Sequence, residues 1–177
     1  MDGSADVTLR MRRIRLVTCD VDGVLTDSRI WVDDHGRESK AYSAQDGQGL
    51  KMLMQTGIRV AWITGSKAPG VTHRARMLGI HHVILGADDK VTPWEHLVAE
   101  FGLPAAACAH IGDDLPDVAL FNRCGLAVAV PHAPPAVRAR AHYVTQRDGG
   151  TGAVRELCEL ILAAQDALAP LLAAYGA

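Results

Sequence analysis

Ile14-Arg15-Leu16-Val17-Thr18-Cys19-Asp20-Val21-Asp22-Gly23-Val24-Leu25-Thr26-Asp27 is the stretch on which the reading of the fold turns. Residues 14–19 form a largely apolar, β-branched run with an acid at its end, the pattern of a strand buried on both faces. Similar runs recur at 59–63, 82–85, 108–111 and 126–130. Between them lie apolar stripes at helical spacing, each stopped by a glycine. Leu50, Leu53 and Met54 end at Gly57; Val71, Ala75 and Leu78 end at Gly79. Trp94, Leu97, Val98 and Phe101 end at Gly102, and Leu115, Val118, Ala119 and Phe121 precede Gly125. Strands alternating with short helices predict an α/β fold, a parallel sheet covered on both faces. One segment breaks the rhythm. Residues 29–32 and 37–42 alternate apolar and polar around Asp33-Asp34-His35-Gly36, which predicts a β-hairpin directly after the first strand. After the Gly149-Gly150-Thr151-Gly152 turn, Val154, Leu157, Cys158, Ile161 and Leu162 carry the core face of a last helix reaching Ala164. Residues 167–177 are expected to fray or to pack on a neighbouring subunit.

The chain's 177 residues and 49% hydrophobic content point to one self-sufficient domain. A domain of this size buries roughly 70% of its unfolded surface and needs no staples. A formal net charge of −2 with scattered Lys and Arg argues against a nucleic-acid groove. Cys19, Cys108, Cys124 and Cys158 form no C-x-x-C pair and sit in apolar surroundings, as buried thiols of a reducing compartment do. Met1 to Arg13 lacks the apolar core of a signal peptide. Leu157 to Ala174 is interrupted by Glu159, Gln165, Asp166 and Pro170, which makes it too polar for a membrane span. A cytoplasmic protein without membrane partners is the expectation.

Four short motifs follow the predicted parallel strands. Asp20 and Asp22 are two apart, so in extended backbone both point toward one site, and two such carboxylates call for a cation or a shared proton. Ile63-Thr64-Gly65-Ser66 offers a hydroxyl and amides at a helix start, suited to a phosphate oxygen. Lys90 follows the third strand, where its charge can serve both phosphate and carboxylate. Gly112-Asp113-Asp114-Leu115-Pro116-Asp117 brings three acids to the fourth strand end, the oxygen-rich donor set that Mg2+ prefers. Each motif alone has an ordinary reading: an acidic turn, a helix N-cap, a solvated lysine, acids favoured by a helix dipole. Their common position at carboxyl ends of parallel strands, where open α/β sheets bind ligands, points to phosphoryl transfer.

The ordered set D-x-D-G-V-L-T-D, T-G-S, K and G-D-D-L-P-D resembles the haloacid dehalogenase superfamily. The hairpin, Asp46-Gly47-Gln48-Gly49-Leu50, Tyr143-Val144-Thr145 and Gly149 to Glu156 narrow the resemblance to its capless 3-deoxy-D-manno-octulosonate 8-phosphate phosphatases. The resemblance implies a Rossmann-like three-layer sheet without a cap domain, spanning 14–165 between an N-terminal extension (1–13) and a C-terminal tail (166–177). It implies Asp20 as nucleophile and Asp22 as general acid and base. Mg2+ would rest on the Asp20 carboxylate, the Asp22 carbonyl and Asp113. Thr64, Gly65 and Lys90 would hold the phosphate, with Asp114 and Asp117 supporting the metal waters and Lys90. A sugar-phosphate substrate from lipopolysaccharide precursor synthesis and a homotetramer sharing hairpin and tail complete the implication.

The chain departs from the family pattern at Ser66 and Thr151, where the family has arginine. Lys67 and Arg147 are the nearby cations that would compensate. 3-Deoxy-D-manno-octulosonate 8-phosphate remains the expected substrate, with a related nonulosonate 9-phosphate or another sugar phosphate as the alternative. A receiver domain is a different reading of an acid-Thr-Lys set, but it needs an acceptor aspartate at the third strand, where Ile84-Leu85-Gly86 has none. A silent regulatory domain would have no physical need for the full set of reacting groups. The eight histidines (His35, His73, His81, His82, His96, His110, His132 and His142) lack metal-site spacing and read as structural or surface groups.

Overall fold

The structure, a computed structural model, describes residues 3–176. Positions 1 and 2 of the N-terminal extension and position 177 of the tail lie outside the described residues. In chain order, helix α1 (Gly3–Arg13) leads into β1 (Leu16–Cys19) and the hairpin β2 (Trp31–Val32) and β3 (Glu38–Ser39). Then come α2 (Ala44–Gln55), β4 (Arg59–Ile63), α3 (Pro69–Leu78), β5 (His82–Ile84) and α4 (Val91–Glu100). The second half runs β6 (Cys108–Gly112), α5 (Leu115–Phe121), β7 (Leu126–Ala129), α6 (Pro135–Arg138), β8 (Tyr143–Val144), α7 (Ala153–Ala164) and α8 (Leu168–Ala174).

Six strands form one sheet in the order β5-β4-β1-β6-β7-β8, every pairing parallel. The expected α/β architecture is thus observed, with the short helices α6 and α8 and two further elements that the periodicity did not mark. One is β8, two residues at the sheet edge, too short to carry an alternation signal. The other is α1: Met11 is buried, and Arg10 Nη1 donates to the Gly125 carbonyl at 2.7 Å. The central strands β1, β6 and β7 are buried throughout, which accounts for their unbroken apolar runs. Strands are added outward from β1 first on one side, as β4 and β5, and then on the other, as β6, β7 and β8, so loops from both halves meet at the carboxyl end of β1.

The hairpin pairs only Trp31 with Ser39 and Val32 with Glu38, shorter than the alternation predicted. Both strands are exposed, so no second layer enforces longer pairing. Its turn is held locally: Asp33 Oδ1 accepts from the amides of His35 and Arg37, each at 2.9 Å.

At the other end, Asp46 in α2 accepts from the Arg155 amide at 2.7 Å and so caps α7. Gly49 lets α7 pack close, since a Cβ there would stand 3.1 Å from Arg155 Cα. The two sequence signals at 46–50 and 149–156 are therefore partners in one contact. Helix α8 lies against α7 of its own chain, and Gln48 Nε2 donates to the Tyr175 hydroxyl at 3.0 Å. Among the described residues no single helix is long and apolar enough to cross a membrane; α7 and α8 reach that length only jointly, across a 111° bend.

Candidate active site

Asp20 leaves β1 with its amide donating to the Ile111 carbonyl at 3.0 Å, which fixes the loop against β6. The chain then turns sharply. Gly23 has φ 92°, and a Cβ there would run into the Asp113 carboxylate and stand 2.6 Å from Ser28 Oγ. Glycine at this point admits Asp113 to the space beside Asp20. On the opposite side of the turn, Gly149 packs on the Gly23 carbonyl and Gly150 on Thr26, so the glycine-rich segment before α7 braces the loop.

Lys90, at the start of α4, extends its Nζ to Asp20 Oδ1 at 2.9 Å and to Asp117 Oδ1 at 2.7 Å. Both carboxylates and the lysine are buried. Asp117 Oδ1 also meets His110 Nε2 at 2.9 Å. Its Oδ2 accepts from the amides of Asp113 and Asp114 at 3.0 and 3.2 Å. Asp114 in turn caps α5, its Oδ1 accepting from the Leu115 amide at 2.8 Å. Asp20, Asp113 and Asp117 each offer an oxygen within 4.8 Å of the others. Asp117 already receives four protein donors, so Asp20 and Asp113 are the pair with acceptor capacity left for a cation.

The third wall is Thr64, buried, whose Oγ1 accepts from the Ser66 amide at 3.0 Å. Asp20, Asp22, Thr64, Gly65, Lys90 and Asp113 all face one open cavity of about 470 Å³ at the carboxyl end of the sheet. Asp114 and Asp117 lie along its floor. Lys67 does not line it; its aliphatic stem lies where a side chain on Gly86 would stand. Arg147 likewise points elsewhere, into a separate groove with Arg155 and Glu159.

Three contributors had no signal in the linear sequence. Lys40, from the hairpin exit, places Nζ 2.7 Å from Asp22 Oδ2 and 2.8 Å from Ser66 Oγ. His110 lies beneath the floor, fully buried. His132 has Nδ1 3.0 Å from Asp148 Oδ1 and Nε2 3.7 Å from Asp113 Oδ2. Proximity in space assigns all three; no spacing rule joins them to the motifs.

Electrostatics separates the acids. Burial pushes the Asp20 carboxyl up to about 7, reinforced by the Asp117 charge and opposed by Lys90. Burial and Asp117 also push Asp113 up, to about 6. Asp117 is itself opposed by burial, yet the His110 hydrogen bond and charge, with Lys90, hold it well below the usual range. Burial works against the Lys90 charge, but Asp20 and Asp117 outweigh it and raise the ammonium. Protein donors thus satisfy Asp117, while Asp20 and Asp113 keep oxygens free to accept a cation. Asp22 Oδ1 is buried without a hydrogen-bond partner. A hard dication fits this donor set of clustered carboxylate oxygens.

Comparison with known proteins agrees with the geometry. The family model for haloacid dehalogenase-like hydrolases matches residues 79–157. The 3-deoxy-D-manno-octulosonate 8-phosphate phosphatase KdsC of Yersinia pestis is 45% identical over 163 residues, covering 92% of this chain and 87% of that protein. The corresponding phosphatase of Moraxella catarrhalis, crystallised with a magnesium ion, a phosphate ion and a KDO molecule, superposes with a TM-score of 0.94 at 42% identity. That match covers 96% of this chain and 98% of that one. The cobalt-bound phosphatase of Haemophilus influenzae superposes with a TM-score of 0.87 at 38% identity, over 90% of this chain and 93% of that one. Identity at this level, along nearly the whole of both partners, places the chain in the 3-deoxy-D-manno-octulosonate 8-phosphate phosphatase family of haloacid dehalogenase-like hydrolases.

Proposed function

We propose that the chain is a Mg2+-dependent phosphatase that removes phosphate from an acidic sugar phosphate through an aspartyl-phosphate on Asp20. 3-Deoxy-D-manno-octulosonate 8-phosphate, an intermediate of lipopolysaccharide precursor synthesis, is the first candidate substrate. The observation that carries this reading is the buried Asp20 carboxylate, 2.9 Å from Lys90 and clustered with Asp113 at the floor of an open cavity.

The Asp20 oxygen attacks phosphorus while Asp22 protonates the departing sugar oxygen. Asp22 then takes a proton from the water that attacks the phosphorus of the acyl phosphate, releasing inorganic phosphate and regenerating Asp20. Splitting one hard displacement into two lowers each barrier. Lys90, the Thr64 hydroxyl and the Gly65 amide hold the equatorial phosphate oxygens, where positioning and charge neutralisation supply most of the catalysis. Asp20, Asp113 and the Asp22 backbone carbonyl are the groups that would hold Mg2+, which supplies charge stabilisation at the transferring phosphoryl group. Asp114 and Asp117 hold the turn that carries Asp113.

The substrate follows from the relatives, since KDO is an acidic sugar and is bound in the Moraxella catarrhalis protein. Ser66, which lines the cavity, leaves it less basic there than the family pattern, so nonulosonate 9-phosphates belong in the same test. Phosphate release with Mg2+ across a panel of sugar phosphates decides between them. Highest kcat/KM on the octulosonate is the expected result; no turnover of any phosphate monoester would refute the activity.

The same reading extends to assembly and compartment. Ile30, Trp31 and Val32 project from the hairpin at 48, 66 and 63% exposure, a patch suited to a second copy of the chain. The assembly is a homotetramer built through the hairpin, with the 166–177 tail as a further contact, around catalytic domains spanning 14–165. Four free buried cysteines suit the reducing cytoplasm.

A further inference from the structure

We infer that His110 is a positioning residue for phosphoryl transfer: through Asp117 it fixes both Lys90 and the turn that carries Asp113. The inference rests on the activity proposed above and assigns a function to a histidine that the sequence reading left among the structural ones.

The geometry is a continuous buried chain. Thr18 Oγ1 in β1 lies 2.9 Å from His110 Nδ1 and 3.0 Å from the Ala109 carbonyl oxygen, which sets the plane of the imidazole. On its far side, Nε2 is 2.9 Å from Asp117 Oδ1. A carboxylate oxygen only accepts, so Nε2 carries a proton and donates it. Asp117 then accepts from Lys90, and Lys90 donates to Asp20. Thr18, His110 and Asp117 have no exposure at all, so water cannot substitute for any member. Phe121, on the helix that carries Asp117, packs its ring 6.0 Å from the imidazole and closes the remaining side.

Packing alone gives no reason for an imidazole here. The flanking strand residues Ala109 and Ile111 are apolar and equally buried, and a buried polar ring costs stability unless its hydrogen bonds are made. What the ring adds is directional. Lys90 has three N–H donors: one goes to Asp20, one to Asp117, and the third remains for a phosphate oxygen. Its aim therefore depends on where Asp117 Oδ1 is held, and His110 holds that oxygen from below. The other Asp117 oxygen receives the Asp113 and Asp114 amides, so the same ring steadies the Asp113 turn.

The test compares His110→Phe, His110→Gln and Thr18→Val with the wild type. The readouts are kcat and KM for p-nitrophenyl phosphate with saturating Mg2+, inhibition by vanadate, and thermal stability. Groups that orient site residues in this way are worth about 10- to 100-fold in activity. His110→Phe is expected to lose that factor in kcat per folded molecule, with KM changed by less than about threefold and vanadate binding weakened in parallel. His110→Gln, which keeps a donor toward Asp117, recovers most of the loss. Thr18→Val, which frees the far side of the ring, falls between them and decides the matter if His110→Phe does not fold. Wild-type kcat and vanadate affinity in folded His110→Phe or Thr18→Val, or no recovery in His110→Gln, would overturn the inference. A wild type that turns over nothing removes the proposed activity and this inference together; an active wild type with unaffected variants removes this inference alone.

Discussion

Lys40 Nζ lies 2.7 Å from Asp22 Oδ2, with the lysine side chain only 4% exposed. This contact ties the exit of the hairpin to the acid that the proposed mechanism uses for proton transfer. Lys40 also donates to Ser66 Oγ at 2.8 Å, so it joins the two loops on either side of the cavity. Lys40→Met should therefore release Asp22 from its orientation. A kcat loss of about 10- to 100-fold is expected, part of what a placed general acid contributes. Steady-state kinetics checks it, and Lys40→Arg should restore a measurable share.

Asp20→Asn removes the proposed nucleophile and should lower kcat by about 10⁴-fold or more, the scale on which loss of a nucleophile acts. It should not cost folding. Burial disfavours the ionised Asp20 strongly enough to raise it to about 7, so above that pH a neutral amide relieves an unfavourable charge. Melting in EDTA at pH 8 should give an unchanged or higher Tm for the variant.

Metal and pH should be coupled through Asp20 and Asp113. Their folded-state values are raised to about 7 and about 6 above an ordinary carboxylate value of 3.8. A raised value means the fold favours the protonated form. The resulting stability of the metal-free protein is fully present below about pH 4 and is lost as pH rises through 6 and 7. Mg2+ needs the ionised forms, so its stabilising effect should be small at pH 5 and large at pH 8. Thermal melts with Mg2+ and with EDTA across that range measure the difference, and EDTA should also abolish phosphate release.

Gly149→Ala places a methyl group against the Gly23 carbonyl oxygen. Two backbones meet there, so no flexible side chain can yield. Destabilisation of about 3 kcal/mol is expected, with loss of activity in the folded fraction because the Asp20 loop shifts. Asp46→Ala removes the cap on α7 and should cost about 1–2 kcal/mol while leaving kcat of the folded protein nearly intact. Denaturant titration with parallel kinetics separates the two.

Trp31→Glu puts a charge in the centre of the exposed hairpin patch. Sedimentation of the wild type should show a species several times the 18.9 kDa chain, and the variant should shift toward smaller species.

The sheet was readable because burial on both faces leaves a signature that needs no partner to be recognised. The runs at 14–19, 59–63, 108–111 and 126–130 are apolar for that reason, and all four contain parallel strands. The edge strand β8 and helix α1 were missed, since each owes its existence to a neighbour: β8 to β7, and α1 to α7 and the Gly125 carbonyl.

By itself the sequence determined the alternation of strands and helices and the chemistry available at the strand ends, both written in local periodicity and in short motifs. Only the tertiary structure decided that Asp117 is saturated while Asp20 and Asp113 remain open to a cation, and that Lys40 and His110 belong with them. Those facts depend on which donors stand within about 3 Å of a given oxygen, and hydrogen bonding at that range couples residues without regard to their separation along the chain.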